Sequence, residues 1–294
     1  MSDRSVVVGI DGSAQALTAA KWAADEAERR NAVLHVVHAN LWPNVRMPSG
    51  HYSIEHQRPL LEYSRKVLDS AVAAVRKRQP NLPVTKALVS TTPVDVLVAA
   101  SRRAELVVVG ARGLGGFRGL LVGSVAIGVS GGSRCPMVVV RGRTDDTGPP
   151  TDGSVVVGLD GSPRSTPALR YAFETASRLD APLVALHTWS DVAIDTVRET
   201  PVWAVDWDRV QDDEQRLLAE RLAGWQEEYP EVKVQRVVLR DRPARSLLQA
   251  ADTARVVVVG SRGRGGFTGM LLGSTSNAMI HYCPCPVVVV PDDR

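Results

Sequence analysis

The chain has 294 residues, 35 Lys and Arg against 32 Asp and Glu, and a formal net charge of +3, so no charge excess marks it as a nucleic-acid binder. Hydrophobic residues make up 44% and charged residues 23%, which excludes a disordered or fibrous chain, and the length suggests two ordinary domains. Apolar runs stop at four to six residues, far below the roughly 20 that a membrane-spanning helix needs.

The start, Met1 to Ser5, shows no signal-peptide pattern and leads straight into a valine run, so a cytoplasmic protein is expected. Ser5 to Ile10 reads as a strand buried on both faces. A helix follows, with Ser13 as N-cap and Ala16, Ala19, Ala20, Ala23, Ala24 and Ala27 as a small-residue face. Next come a strand over Val33 to Ala39, a polar loop with Pro43, Pro48, Ser49 and Gly50, and a helix from about Leu60 to Arg78. Strand Val84 to Val89, a helix near Pro93, strand Leu106 to Gly110, a helix after Gly123 and strand Met137 to Val140 complete five strands and four helices.

The order then repeats. SVVVGIDGS at Ser5 to Ser13 returns as SVVVGLDGS at Ser154 to Ser162, and the 19-residue segment ending at Ser124 returns at Ser274 with 13 identities. The offsets, 149 and 150 residues, leave almost no insertion between copies. A whole domain is duplicated, with a polar Pro/Gly stretch around Thr144 to Gly153 as the join. Alternating strands and helices give an α/β class: two tandem open parallel five-stranded sheets with helices on both faces. Cys135, Cys283 and Cys285 form neither a C-x-x-C pair nor an even framework, and read as small buried thiols.

Ligands of such sheets bind beyond the carboxyl ends of the strands. Two elements per half arrive there. Asp11, with its partner Asp160, ends the first strand, and suits either a nucleotide contact or turn and capping chemistry. Gly110-x-x-Gly113 followed nine residues later by Gly123-Ser124 recurs as Gly260-x-x-Gly263 and Gly273-Ser274. Glycines let a backbone approach phosphate oxygens, and Gly-Ser then opens a helix whose first N–H groups favour an anion. Arg112 and Arg262 sit inside these loops.

This spacing resembles the ATP-binding group of the universal stress protein family, signature G-x2-G-x9-G-[ST], over essentially the whole chain, as in bacterial tandem members. The resemblance implies two domains, 1-146 and 150-294, each with strand order 3-2-1-4-5 and an ATP site. Adenine and ribose would meet Gly9, Ile10, Asp11, Ala39, Val109 and Gly110; phosphates would meet Arg112, Gly113, Gly123, Ser124 and Val125. The second copy offers Gly158, Leu159, Asp160, Thr188, Val259, Gly260, Arg262, Gly263, Gly273, Ser274 and Thr275. Many members carry a further hydroxyl two residues after the Ser, which Ser276 supplies and Ala126 does not, and Gly128, Gly131 and Gly132 fall inside the first copy's helix; the second site is therefore expected to be the stronger. No metal site is expected from protein alone, with Mg carried by ATP near Asp11 and Asp160.

What the resemblance implies is a nucleotide-dependent regulator of stress response or growth, with an unidentified regulatory protein partner, slow hydrolysis at most and no catalytic residues. The last strands are expected to pair the halves with each other, with further dimerisation of the chain. The rivals are an ATP-hydrolysing or adenylyl-transferring enzyme of the same α/β class, whose S-G-G-x-D-S or H-x-G-H motifs are absent, and a nucleotide-free scaffold. A P-loop motif, G-x-x-x-x-G-K-[ST], is also absent. His38 and His187 stand near the ends of their strands, close to the expected adenine pocket, but no carboxylate or Cys is expected to complete a metal set or a triad around them. Trp189, Trp203, Trp207 and Trp225 concentrate in the second half, as packing or as a cover over the nucleotide.

Overall fold

The computed structural model describes residues 4–40, 54–114, 122–142, 148–189, 206–264 and 272–292. The chain divides into two compact units, Met1–Arg141 and Gly142–Arg294. In the first, β1 (Ser5–Ile10), α1 (Ala14–Arg29), β2 (Val33–Ala39), α2 (Ile54–Arg78), β3 (Val84–Val89), α3 (Pro93–Ala100), β4 (Leu106–Gly110), α4 (Ser124–Gly132) and β5 (Met137–Val140) alternate throughout. The strands pair in parallel in the order β3-β2-β1-β4-β5. Right-handed crossovers in that order put α1 and α2 on one face and α3 and α4 on the other, and each pair packs together.

The strand ends fall where the apolar runs end, because β1, β4 and β5 are covered on both faces: Val6, Val8, Leu106, Val108 and Met137 are fully buried. The alanine face of α1 is likewise buried, so this helix lies close on β1 and β4. α2 begins at Ile54, six residues before the sequence expectation, and carries Pro59 within it. The glycines of α4 have a packing role: a Cβ on Gly128 would stand 2.8 Å from Val94, and one on Gly132 3.0 Å from Val98, so their absence lets α4 sit tightly on α3.

The second unit holds β6 (Ser154–Leu159), a 3-10 turn at Pro163–Ser165, α5 (Thr166–Leu179), β7 (Leu183–Thr188), α6 (Trp207–Leu222), a helical turn at Trp225–Glu228, β8 (Val234–Leu239), α7 (Pro243–Ala251), β9 (Ala254–Gly260), α8 (Ser274–Tyr282) and β10 (Val287–Val290). Its strands pair in parallel in the order β8-β7-β6-β9-β10. Each unit thus repeats the expected 3-2-1-4-5 arrangement. Among the described residues no helix is long and apolar enough to cross a membrane.

Candidate functional site

In each unit β1 or β6 is the strand from which crossovers leave in opposite directions, and the crevice of an open sheet lies there. The Asp-Gly turn after β1 needs a left-handed residue: Gly12 has φ +94° and Gly161 φ +75°. That turn aims the aspartate across to the next loop. Asp11 Oδ1 accepts from Ser13 N at 2.9 Å and Oδ2 from Leu114 N at 2.7 Å. Asp160 repeats the clamp, accepting from Ser162 N at 2.9 Å and Arg264 N at 2.8 Å.

Both aspartates therefore join the end of the first strand to the G-x-x-G loop, and every one of their oxygens already meets a backbone donor. That occupies the carboxylates expected to neighbour Mg. The loop glycines fit the same contact: a Cβ on Gly113 would stand 2.2 Å from Asp11 Oδ2, and one on Gly263 3.2 Å from Asp160 Oδ2. Gly110 lies against the start of α1, where a Cβ would come within 2.9 Å of the Gln15 backbone, and Gln15 Oε1 accepts from Arg112 N at 2.7 Å.

The helix that follows is tied back identically in both units. Gly123 N donates to Ala111 O at 2.8 Å, and Gly273 N to Ser261 O at 2.8 Å. Neither N-cap glycine carries a side chain to cap the helix, and Ser124 and Ser274 at the first helical position are exposed. The uncapped N–H groups and the helix dipole form an anion-receptive end beside the loop.

The structure places the remaining expected residues unevenly. Ile10, Leu159, Val109 and Val259 are buried core side chains. Gly9 and Gly158 make room for helix side chains instead: a Cβ would stand 2.8 Å from Leu97 in one case and 2.9 Å from Leu247 in the other. Ala39 is half-buried, Thr188 buried, and Val125 and Thr275 half-buried in the first turns of α4 and α8. Ser276 corrects an expectation: it is buried, and its hydroxyl donates to Gly260 O at 2.5 Å, locking α8 to β9 rather than lining the site. The advantage assigned to the second site on that hydroxyl falls away.

A partner that sequence reading missed is Glu214. His187 Nδ1 lies 2.9 Å from Leu159 O and Nε2 lies 2.6 Å from Glu214 Oε2, with both side chains buried. A carbonyl only accepts, so Nδ1 donates to it, and a second proton must lie between Nε2 and the carboxylate. His38 makes the same bond to Ile10 O at 2.8 Å. At the position equivalent to Glu214, 150 residues earlier, stands a buried Ser64.

In the first unit a groove of about 250 Å³ opens between α1 and α2, lined in part by Ile10, Gly12, Ser13, Tyr63, Lys66 and Val67. In the second, Leu217 and Arg221 stand where Val67 and Ala71 stand in the first. Arg221 Nε donates to Gly161 O at 3.0 Å, and Leu217 and Arg264 crowd Gly161. Trp189, fully buried after β7, donates to Gln211 Oε1 at 2.8 Å and stacks on Trp207 at 5.8 Å, while the Arg240 guanidinium lies 3.7 Å over Trp207. Trp225 stacks on Phe173 at 5.8 Å. These three tryptophans are packing residues; Trp203 lies outside the described residues.

The geometry is that of a doubly wound α/β unit, used twice, with a Gly-rich loop clamped beside an uncapped helix start. The family model described as universal stress protein family matches residues 4–141 and again 153–291. Universal stress proteins of Mycobacterium bovis and Mycobacterium tuberculosis are 44% identical over 291 residues, covering 97% of this chain and 96% of theirs. A further Mycobacterium tuberculosis universal stress protein is 42% identical over 295 residues, covering 98% and 96%. The crystal structure of a universal stress protein from Archaeoglobus fulgidus shares the fold with a TM-score of 0.69, at 20% identity and 98% coverage of each chain. The chain belongs to the universal stress protein family, with two of its domains in tandem.

Proposed function

We propose that each half binds one ATP, accompanied by Mg, and that nucleotide occupancy makes the protein a regulator of stress response or growth rather than a metabolic enzyme. The observation that carries this reading is the clamp: in both halves one aspartate ties the first-strand turn to the G-x-x-G loop beside an uncapped helix start. Such an end offers backbone N–H groups and a positive dipole to phosphate oxygens. Arg112 and Arg262 add charge within the loops.

At 100 times Kd, Mg-ATP should stabilise the protein by about 2.7 kcal/mol, read as a rise in Tm. No shift with Mg-ATP, and no adenine nucleotide found by mass spectrometry in the purified protein, sinks the reading. Phosphate release below about 1 s⁻¹ fits a regulator, whereas sustained turnover above it favours the hydrolase alternative. A cytoplasmic location, self-association of the chain and a regulatory protein partner belong to the same reading, and light scattering on the purified chain checks the self-association.

A further inference from the structure

Asp292 lies two residues past β10, at the end of the sheet where Ser261 N donates to Val290 O at 2.7 Å. Its side chain is 12% exposed, and Oδ2 receives Arg262 Nη2 at 2.8 Å. Arg262 belongs to the G-x-x-G loop, and its Cα lies 3.5 Å from where a Cβ on Gly273 would stand, so Arg262 joins Asp292 to the loop beside the helix start of the second candidate site. The other carboxylate oxygen, Oδ1, is buried and has no hydrogen-bond partner among the described residues. A buried carboxylate oxygen left bare loses its hydration without compensation, so it calls for a cationic or donor partner.

Asp160, the carboxylate expected to neighbour a metal here, has both oxygens engaged by the turn and the loop. Among the described residues no group of three His, Cys, Asp or Glu could hold an ion by itself. Mg²⁺ suits this situation, because it keeps several waters and takes one or two carboxylates together with the phosphates of a bound nucleotide. The position 150 residues before Asp292 is Gly142, which has no side chain to offer.

We propose that Asp292 is the protein's oxygen ligand for the divalent cation of a nucleoside triphosphate bound on the second loop, with Arg262 beside it as the phosphate partner. The inference rests on the reading that the loops bind nucleotide. It makes the two halves differ in metal dependence: the second takes a metal–nucleotide, and the first takes nucleotide with little help from a protein-bound ion.

The test is calorimetric titration of the full chain with ATP, once with Mn²⁺ and once with EDTA, alongside the EPR signal of protein-bound Mn²⁺. Mn²⁺ is expected to tighten one of two binding events by about tenfold or more and leave the other nearly unchanged. Asp292→Asn and Asp292→Ala, checked for folding by near-UV circular dichroism, should lose that enhancement while keeping ATP binding in EDTA. Wild-type ATP binding that ignores the metal, or an enhancement that survives both substitutions, overturns the inference and leaves the nucleotide reading intact. No ATP binding by the wild type under either condition overturns both.

Discussion

The two halves share their strands, their loops and the aspartate clamp, yet they fill the space around the clamp with different chemistry. In the first, small residues on α2 leave a groove against α1, and a buried Ser64 stands at the position equivalent to Glu214. In the second, Arg221 and Leu217 occupy the corresponding place, Glu214 meets His187, and Asp292 meets Arg262. The polar end of one Ser also differs. Ser13 Oγ accepts from Ala16 N at 3.1 Å as a helix cap, whereas Ser162 Oγ donates to Asp160 Oδ1 at 2.7 Å ahead of the 3-10 turn opened by Pro163. Duplication kept the backbone of the loop and its tether and let the surrounding side chains diverge. What is common to both copies is thus the backbone of the loop, and what differs is the packing chemistry around it.

The largest effect should come from the buried pair that only the second half has. Glu214→Ala strips His187 of a buried charge-assisted partner and is expected to cost about 3 kcal/mol. Urea unfolding followed by tryptophan fluorescence reads it, because four of the six tryptophans lie in that half. A cost near zero would mean that the pair does not hold the second domain together.

Alanine at the loop glycines probes the shared backbone with unequal clearance. Gly110→Ala drives a methyl to 2.9 Å from the backbone of α1 and should destabilise by about 2 to 3 kcal/mol. Gly260→Ala meets only Arg262 O, at 3.2 Å, and should cost about 1 kcal/mol or less. Equal losses in denaturant midpoint would show that the two loops pack alike after all.

Next in size is Arg221→Ala, which removes the donor to Gly161 O and clears, within the second half, the place equivalent to the first half's groove; about 1 kcal/mol is expected. If Arg221 tunes access, the substitution also changes nucleotide affinity in one of two binding events. A stability loss with both affinities unmoved would confine Arg221 to packing.

The smallest expected effect is a surface clamp of the first half. Arg78 grips Asp25 through two nitrogens, at 2.9 Å each, joining α2 to α1. Burial alone would raise the Asp25 pKa, but the hydrogen bonds from Arg78 and Gln79 outweigh it and hold the carboxyl below its ordinary 3.8. A lowered folded value means that the stabilisation is complete above the ordinary pKa and fades as pH falls through the folded one. Asp25→Asn should cost less than about 1 kcal/mol at neutral pH and flatten the acid limb of the stability curve below about pH 4. An unchanged acid limb would assign that loss to other carboxylates.

The sheet was legible in the sequence because β1, β4 and β5 are continuous apolar runs, and β2 and β3, which carry His35, His38, Thr85 and Lys86, still fall at the expected residues between the helices. The start of α2 was not, since the helix begins at Ile54, ahead of the expected Leu60, and carries Pro59 within it. The loops could be read from glycine spacing. What those glycines touch could not, because the contact made by Gly113 runs to Asp11, over a hundred residues away in sequence. Glu214, Arg221 and Asp292 were invisible for the same reason: each lies on another element, and only folding brings it to its partner. Ser276 looked like a ligand group and proved to be a helix anchor, since a hydroxyl in a motif carries no direction until its helix is placed.

The bond from each aspartate to its loop has a thermodynamic consequence. Asp11 and Asp160 tie Leu114 N and Arg264 N to the turn after the first strand, so part of the ordering entropy of these loops falls at folding rather than at any later association. Cutting that tether, as in Asp160→Ala, would transfer the ordering cost to the binding step, and a calorimeter would record it as a more negative binding entropy.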